Sequence, residues 1–102
     1  MPIIEITVIP VGTASTSLSS YVAELVKELE SAPEPIHYEL TAMSTLIEGT
    51  LPDLFAVIQR LHELPFRNGA VRVSTSIKID DRRDKIASIA QKLNSVAEKL
   101  QG

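Results

Sequence analysis

Three charged side chains, Glu48, Arg72 and Lys78, are the groups in this sequence best suited to hold a small polar ligand. The Glu48 carboxylate can accept hydrogen bonds or balance a cation, and the Arg72 guanidinium presents a planar fork of donors to an anionic group. Lys78 adds a compact positive charge. The alternative interpretation is that these side chains, together with Glu5, form ion pairs where two sheets of an oligomer meet. Both can hold, because ligand sites often lie at interfaces.

The sequence does not indicate other kinds of reactive site. It contains no cysteine, which excludes disulfides, thiolate catalysis and cysteine metal sites. The two histidines, His37 and His62, lack the spacing of metal ligands, and no GxSxG motif is present. A single glycine, Gly12, follows the first strand pattern, which is too few for a phosphate-binding loop. We therefore expect no cofactor and no catalysis, with a small-metabolite enzyme that uses an interfacial carboxylate as an alternative.

The charge is unevenly distributed along the chain. Residues 1–66 hold nine acids and two bases, whereas residues 67–102 hold four acids and eight bases. This division suits electrostatic complementarity within or between subunits, or two ordinary solvated faces. The net charge of −3 and the absence of aromatic residues from the first and third predicted strands argue against nucleic-acid binding.

The sequence shows no sign of membrane insertion or export. No apolar run approaches the ~18 residues that a membrane-spanning helix needs. The N-terminus has no basic segment and leads directly into a strand pattern, so we expect no signal peptide and a cytoplasmic location.

Alternating apolar and polar residues predict four strands, at residues 3–9, 36–42, 45–48 and 70–80. In the last strand the alternation is nearly complete. It predicts that Val71, Ile77 and Ile79 lie with Val73 and Thr75 under helices, while the other side of the sheet stays polar.

Apolar residues at helical spacing predict three helices, at residues 18–29, 51–64 and 86–100. Prolines at 33 and 35 stop the first helix. Thr50 is expected to cap the second, with Asp53 favourable in its first turn, and residues 65–69 to end it. The apolar stripe of the third helix needs a partner, either the edge of this sheet or another subunit.

The predicted order β-α-β-β-α-β-α favours an α+β, ferredoxin-like fold in one domain spanning residues 1–102. Two right-handed βαβ units that share a hairpin give a four-stranded antiparallel sheet of order 4-1-3-2, with an extra C-terminal helix. Both crossover helices cover one face. The other face stays open, and we expect it to carry Glu5, Thr7, Arg72, Ser74 and Lys78.

Short motifs along nearly the whole chain resemble one known family. They are Pro10-x-Gly12, Ser17, Tyr21-Val22, Thr45-x-Ile47-Glu48-Gly49, His62-Glu63, Gly69-x-x-Arg72-Val73 and Ile77-Lys78-Ile79-Asp80 followed by Arg82. In this order and spacing they resemble the YkoF-like thiamine-binding protein family, formerly an uncharacterised protein family.

The resemblance implies a ferredoxin-like fold assembled into dimers and tetramers through the sheets. It also implies binding of thiamine or its hydroxymethylpyrimidine part without catalysis, at Thr45, Glu48, Arg72 and Lys78. One residue departs from the family pattern, because Ser44 stands where members usually have glycine before the threonine of the third strand. The alternative is a structural or regulatory oligomer without a ligand, whose open face is filled by subunit contacts.

Overall fold

The protein has the predicted order of strands and helices. The computed structural model describes residues 1–12, 19–84 and 89–101, and the predicted motif residue Ser17 and stripe residue Ile86 lie outside these ranges. The elements are β1 (Ile3–Pro10), α1 (Ser19–Glu30), β2 (His37–Leu40), β3 (Thr45–Glu48), α2 (Leu51–Arg67), β4 (Val73–Asp80) and α3 (Ile89–Gln101).

The four strands form one antiparallel sheet of order β2-β3-β1-β4, which confirms the predicted α+β, ferredoxin-like topology. Ile4 of β1 lies opposite Ile47 of β3 and Ile79 of β4, so this register aligns three apolar residues on the same side of the sheet. The alternation of β1 follows the prediction, with Ile4, Ile6 and Val8 buried. The alternation of apolar and polar residues therefore determines which side of the central strands packs against the helices.

Helices α1 and α2 cover that side and form the core with it. The buried core residues are Ile4, Ile6, Val8, Leu25, Leu29, Ile47, Leu54, Val57, Ile58, Leu61 and Leu64. Phe55, predicted in the apolar stripe of α2, is instead exposed, and Val57 is fully buried. Gly49 is also buried, and a Cβ placed there would lie 3.1 Å from Ile36, so the small residue lets β3 turn into α2 beside the core.

The ends of α2 are set by local chemistry. Thr50 caps the N-terminus as predicted, because its hydroxyl accepts from the Asp53 amide at 3.4 Å. The helix ends after Arg67, within the residues 65–69 expected to end it, and it includes Pro65. The φ angle of proline fits a helix, and after the C-cap residue Asn68 the chain turns at Gly69, which has a φ of 96°.

The hairpin between β2 and β3 is longer than predicted because β2 ends at Leu40 rather than at residue 42. The Thr41 amide and hydroxyl both donate to the Ser44 carbonyl at 2.8 Å. The same hydroxyl accepts from the Ser44 amide at 3.0 Å. One backbone bond and two bonds of the Thr41 hydroxyl therefore close the hairpin at residues 41–44.

The prediction that the apolar side of β4 is buried along its length was wrong. The strand begins at Val73, and Val71 before it is almost fully exposed. Ile77 and Ile79 remain 42% and 43% exposed. Because β4 is an edge strand and α2 contacts it near its start, through His62 and Thr75, the second half of this apolar side has no helix over it.

The last helix, α3, stands apart from the two core helices. Ile89 is buried, but every residue from 90 to 101 is exposed, including the stripe residues Leu93, Val96 and Leu100. None of the helices in the described ranges is both long and apolar enough to cross a membrane.

Candidate ligand-binding face

The side of the sheet opposite α1 and α2, here called the open face, carries alternate residues of all four strands. They are Ile3, Glu5, Thr7, Ile9, His37, Glu39, Leu46, Glu48, Ser74, Ser76, Lys78 and Asp80. Most are polar, as the sequence predicted. Because neighbouring strands lie about 4.8 Å apart, the side chains of one row are close enough to act on one small ligand.

Glu5 lies near the middle of the open face. It pairs across the strands with Leu46 of β3 and Lys78 of β4. The Ser44 hydroxyl donates to its Oε2 atom at 3.1 Å. No non-glycine residue in the described ranges has a positive φ, so Ser44 needs none of the freedom that the family's glycine would supply. Its hydroxyl instead orients the Glu5 carboxylate.

Glu48 lies at one end of the open face, where β3 finishes. Its neighbours in the sheet are Ile3 and His37. The Glu48 Oε2 atom accepts from the backbone amide of Ile89 at 3.0 Å. Amides in the first turn of a helix lack partners within the helix, so a carboxylate there satisfies one of them and is favoured by the helix dipole. The half-buried Glu48 therefore holds the first turn of α3 against the sheet.

A second contact joins α3 to the same end of the open face. The Lys92 ammonium donates to the Asp80 carboxylate at the end of β4. This hydrogen bond and the Lys92 charge, together with the charges of Lys78 and Arg82, lower the pKa of Asp80 below its usual value. Asp80 and Lys92 therefore form an ion pair at the end of the open face where Glu48 also lies.

The structure brings two of the four predicted ligand residues to one face. Glu48 and Lys78 are separated by two strand spacings and two residues along the strands, which puts their Cα atoms about 12 Å apart. Both side chains are long, so each can extend toward a ligand that lies over Glu5.

Thr45 lies on the other side of the sheet. It pairs with Ile6, whose side chain is in the core, and it is 6% exposed. The alternation of β3 turns Thr45 and Ile47 toward the helices and turns Leu46 and Glu48 away from them. The structure therefore does not bring Thr45 together with Glu48.

Arg72 is separated from Glu48 by the length of β4. It precedes the strand, is exposed, and its carbonyl accepts from the Val11 amide at 2.9 Å. Asp80 lies level with Glu48 through their shared partner Ile3, so Arg72 stands about 27 Å along the sheet from that level. An arginine side chain cannot span that distance within one chain.

Sequence reasoning missed the part that α3 and the hairpin play at this face. The Ser44 hydroxyl, the Ile89 amide and Lys92 each contact a carboxylate of the sheet. Only the contact of Ser44 had a local signal in the sequence, which is a polar residue in the hairpin. The contacts of Ile89 and Lys92 depend on where α3 docks, which residue spacing does not encode.

A groove of about 310 Å³ lies between α1 and α2, on the side away from the open face. It is lined by Glu24, Lys27, Glu28, Ser31, Leu64, Arg67 and Asn68. Its carboxylates are already engaged, because Glu28 accepts from Arg60 at 2.9 Å and Glu24 accepts from the Asn68 amide group. None of the four predicted ligand residues lines this groove.

The histidines have structural contacts. A 2.7 Å hydrogen bond joins His62 Nδ1 to the Thr75 hydroxyl, and the ring meets Phe66 edge-on with centroids 5.5 Å apart. His37 lies 3.5 Å from Glu39 on β2. Within residues 1–12, 19–84 and 89–101, no group of three histidine, aspartate or glutamate side chains is arranged to hold a metal ion.

Comparisons with known proteins give one consistent family. Residues 4–97 match the family model described as "Thiamine-binding protein". The UPF0045 protein YqgV of Bacillus subtilis is 53% identical over 103 residues, with 99% of each chain covered. A UPF0045 protein of Methanothermobacter thermautotrophicus is 45% identical over 97 residues, covering 94% of this chain and 96% of its own.

The fold is shared with a solved structure of the same group. The crystal structure of the hypothetical protein MJ1052 from Methanocaldococcus jannaschii superposes with a TM-score of 0.82 at 31% identity. The match covers 95% of this chain and 96% of the other.

Proposed function

This chain belongs to the thiamine-binding protein family, and we propose that it binds thiamine or its hydroxymethylpyrimidine part without catalysing a reaction. The family is named for binding rather than for a reaction. In this proposal residues 1–102 act as one ferredoxin-like ligand-binding domain in the cytoplasm.

The observation that carries the proposal is the half-buried Glu48 carboxylate on a face that also presents Glu5 and Lys78. Thiamine joins a cationic thiazolium ring to an aminopyrimidine that has both donors and acceptors. Carboxylates can accept from the amino group or balance the cation, and a charged acceptor forms a stronger bond than a neutral one. Lys78 can donate to a pyrimidine nitrogen or to a phosphate ester of the ligand.

The proposed site includes a second subunit, because one chain cannot bring Arg72 to Glu48. A neighbouring copy can supply Arg72 at the open face, so the site then lies at a subunit interface. Thr45 faces the helices, and a ligand on the open face does not reach it. We therefore propose Glu48 and Lys78 from one subunit and Arg72 from another as the binding groups, with Thr45 as the position that tests the choice of face.

The proposal also includes a homo-oligomer, either a dimer or a tetramer. Its support is the uncovered apolar side of β4, where Ile77 and Ile79 flank the edge of the sheet. An edge strand that exposes isoleucines is suited to contact another subunit.

The test is isothermal titration calorimetry of the purified protein with thiamine, thiamine phosphates and hydroxymethylpyrimidine. Saturable binding of thiamine or hydroxymethylpyrimidine supports the proposal and shows which part is recognised. The Glu48→Gln variant should weaken the affinity roughly 10- to 100-fold, the usual worth of a hydrogen bond to a charged group. Glu63→Gln, the same chemical change at an exposed residue of α2, should leave it unchanged.

Absence of binding to all of these compounds at millimolar concentration would reject the proposed function. The structural alternative, an oligomer whose open face is filled by subunit contacts, would then be favoured. Turnover of any of the compounds would instead favour the enzyme alternative.

A further inference from the structure

The Glu48 carboxylate is the predicted ligand group, and it already has a partner in the protein. Its Oε2 atom accepts from the Ile89 amide at 3.0 Å, in the first turn of α3. We propose that this shared carboxylate couples ligand binding to the docking of α3, so that a ligand which binds Glu48 releases α3 from the open face. The inference rests on the proposed function, because it concerns regulation of that same site.

The docking of α3 is concentrated at its first turn. The Ile89 amide meets Glu48, the Ile89 side chain is 5% exposed, and Lys92 pairs with Asp80. From residue 90 to residue 101 every position is exposed. A helix held by so few buried groups can leave the sheet at a small fraction of the free energy needed to unfold the protein.

The first turn of α3 also occupies space that the ligand needs. Ile3 points to the open face and is nevertheless buried, beside the strand residue Glu48 that contacts α3. A planar ligand that bonds with Glu48 on this face meets the same surface. Ligand and helix therefore compete for both the carboxylate and the apolar residue next to it.

Competition of this kind has a reciprocal consequence. A ligand shifts a conformational equilibrium only by the difference in its affinity for the two states. If thiamine binds better when α3 is released, a change that weakens α3 docking tightens thiamine binding, up to the ratio of the affinities for the released and docked states. The coupling can thus be measured from the helix side without altering the carboxylate.

The test compares Ile89→Ala with Leu93→Ala in the full-length protein. Ile89→Ala removes a buried anchor but keeps the backbone amide that Glu48 accepts from, and it changes no charge. Leu93→Ala makes a similar truncation one turn later, at a side chain that is 61% exposed. Thiamine affinity is measured by calorimetry, and docking of α3 by hydrogen–deuterium exchange of residues 89–101.

The expected result is that saturating thiamine speeds exchange of α3, and that Ile89→Ala binds thiamine roughly fivefold tighter or more, within the usual range of coupling between sites. Leu93→Ala should bind as the unaltered protein does.

Three results would overturn the inference. Thiamine binding with unchanged or slower exchange of α3 would reject the coupling while leaving the proposed function intact. An equal change of thiamine affinity in Ile89→Ala and Leu93→Ala would show that the buried Ile89 side chain does not control the affinity. Absence of binding by the unaltered protein and by both variants would reject the proposed function, and the coupling with it.

Discussion

A 3.0 Å hydrogen bond joins the Glu48 carboxylate to the backbone amide of Ile89, forty-one residues further along the chain. It connects the end of β3 to the start of α3, two elements that no local pattern relates. The residue with the best chemistry for a ligand is therefore also a residue that holds the last helix. A readout of α3 docking, made beside the measurement of affinity, separates these two roles of Glu48.

Thr45→Val tests which face of the sheet binds the ligand. Valine has nearly the shape of threonine but lacks its hydroxyl, and Thr45 faces the helices rather than the open face. Thiamine affinity measured by calorimetry should therefore stay within about twofold of the unaltered value. A tenfold loss, with an unchanged far-ultraviolet circular dichroism spectrum, would place the ligand on the helix side and reject the open face.

Ile77→Lys tests the contribution of β4 to assembly. A lysine on the uncovered apolar side of an edge strand opposes contact with another subunit, because its charge would have to be desolvated there. Sedimentation velocity should show a shift toward monomers. Val22→Lys on α1 is the matched control, since both side chains are 42% exposed, and it should leave assembly unchanged. Equal behaviour of the two variants would exclude this edge as the interface.

Thr50→Ala tests the cap of α2. The Thr50 hydroxyl accepts from the Asp53 amide and donates to the Asp53 carboxylate at 2.8 Å. Its loss should lower the free energy of unfolding by about 1 kcal/mol, measured by urea denaturation. Thr50→Ser keeps the hydroxyl and should retain most of the stability. An equally large loss with serine would mean that the methyl group, rather than the cap, is what matters.

The Arg60 guanidinium gives the stability of the fold a dependence on pH. It donates to Glu34 at 2.5 and 3.0 Å and to Glu28 at 2.9 Å, linking α2 to α1 and to the loop before β2. The hydrogen bond from Arg60 lowers the pKa of Glu34 below its usual 4.5. The folded protein thus binds fewer protons at Glu34 than the unfolded chain does near that pH.

This contribution to stability is fully present above about pH 4.5 and is lost as the pH falls through the lowered pKa of Glu34. Urea denaturation from about pH 7 down to about pH 3 should show a steeper loss for the unaltered protein than for Arg60→Gln, which lacks the charged donor. Parallel curves for the two proteins would show that the Arg60 pair does not contribute to acid sensitivity.

Local chemistry made much of the fold predictable. The alternation of β1 identified the residues that face the core, and the strand order followed from the sequence of elements. The Thr50 cap was predictable because capping involves residues three apart. The errors arose where a pattern along the chain could not show which segment packs on it, as at Ile77 and Ile79, which were expected under helices and are 42% and 43% exposed.

Part of the candidate site was also within reach of the sequence. Residues of a strand that differ by an odd number lie on opposite sides, so the alternation of β3 already separated Thr45 from Glu48. The family resemblance placed Thr45 and Glu48 in one site, because a motif gives the order of residues along the chain but not the side of the sheet on which each lies. The same period placed Lys78 on the uncovered side, where Glu48 also lies.

The sequence by itself determined the order of the elements, their buried sides and the chemical types of the candidate ligand groups, because these depend on residues that are near each other along the chain. Only the tertiary structure decided that α3 docks at Glu48, that Arg72 lies far from it, and that Ile77 and Ile79 stay uncovered. Periodicity defines a face, but the extent to which another element covers that face depends on packing between distant segments.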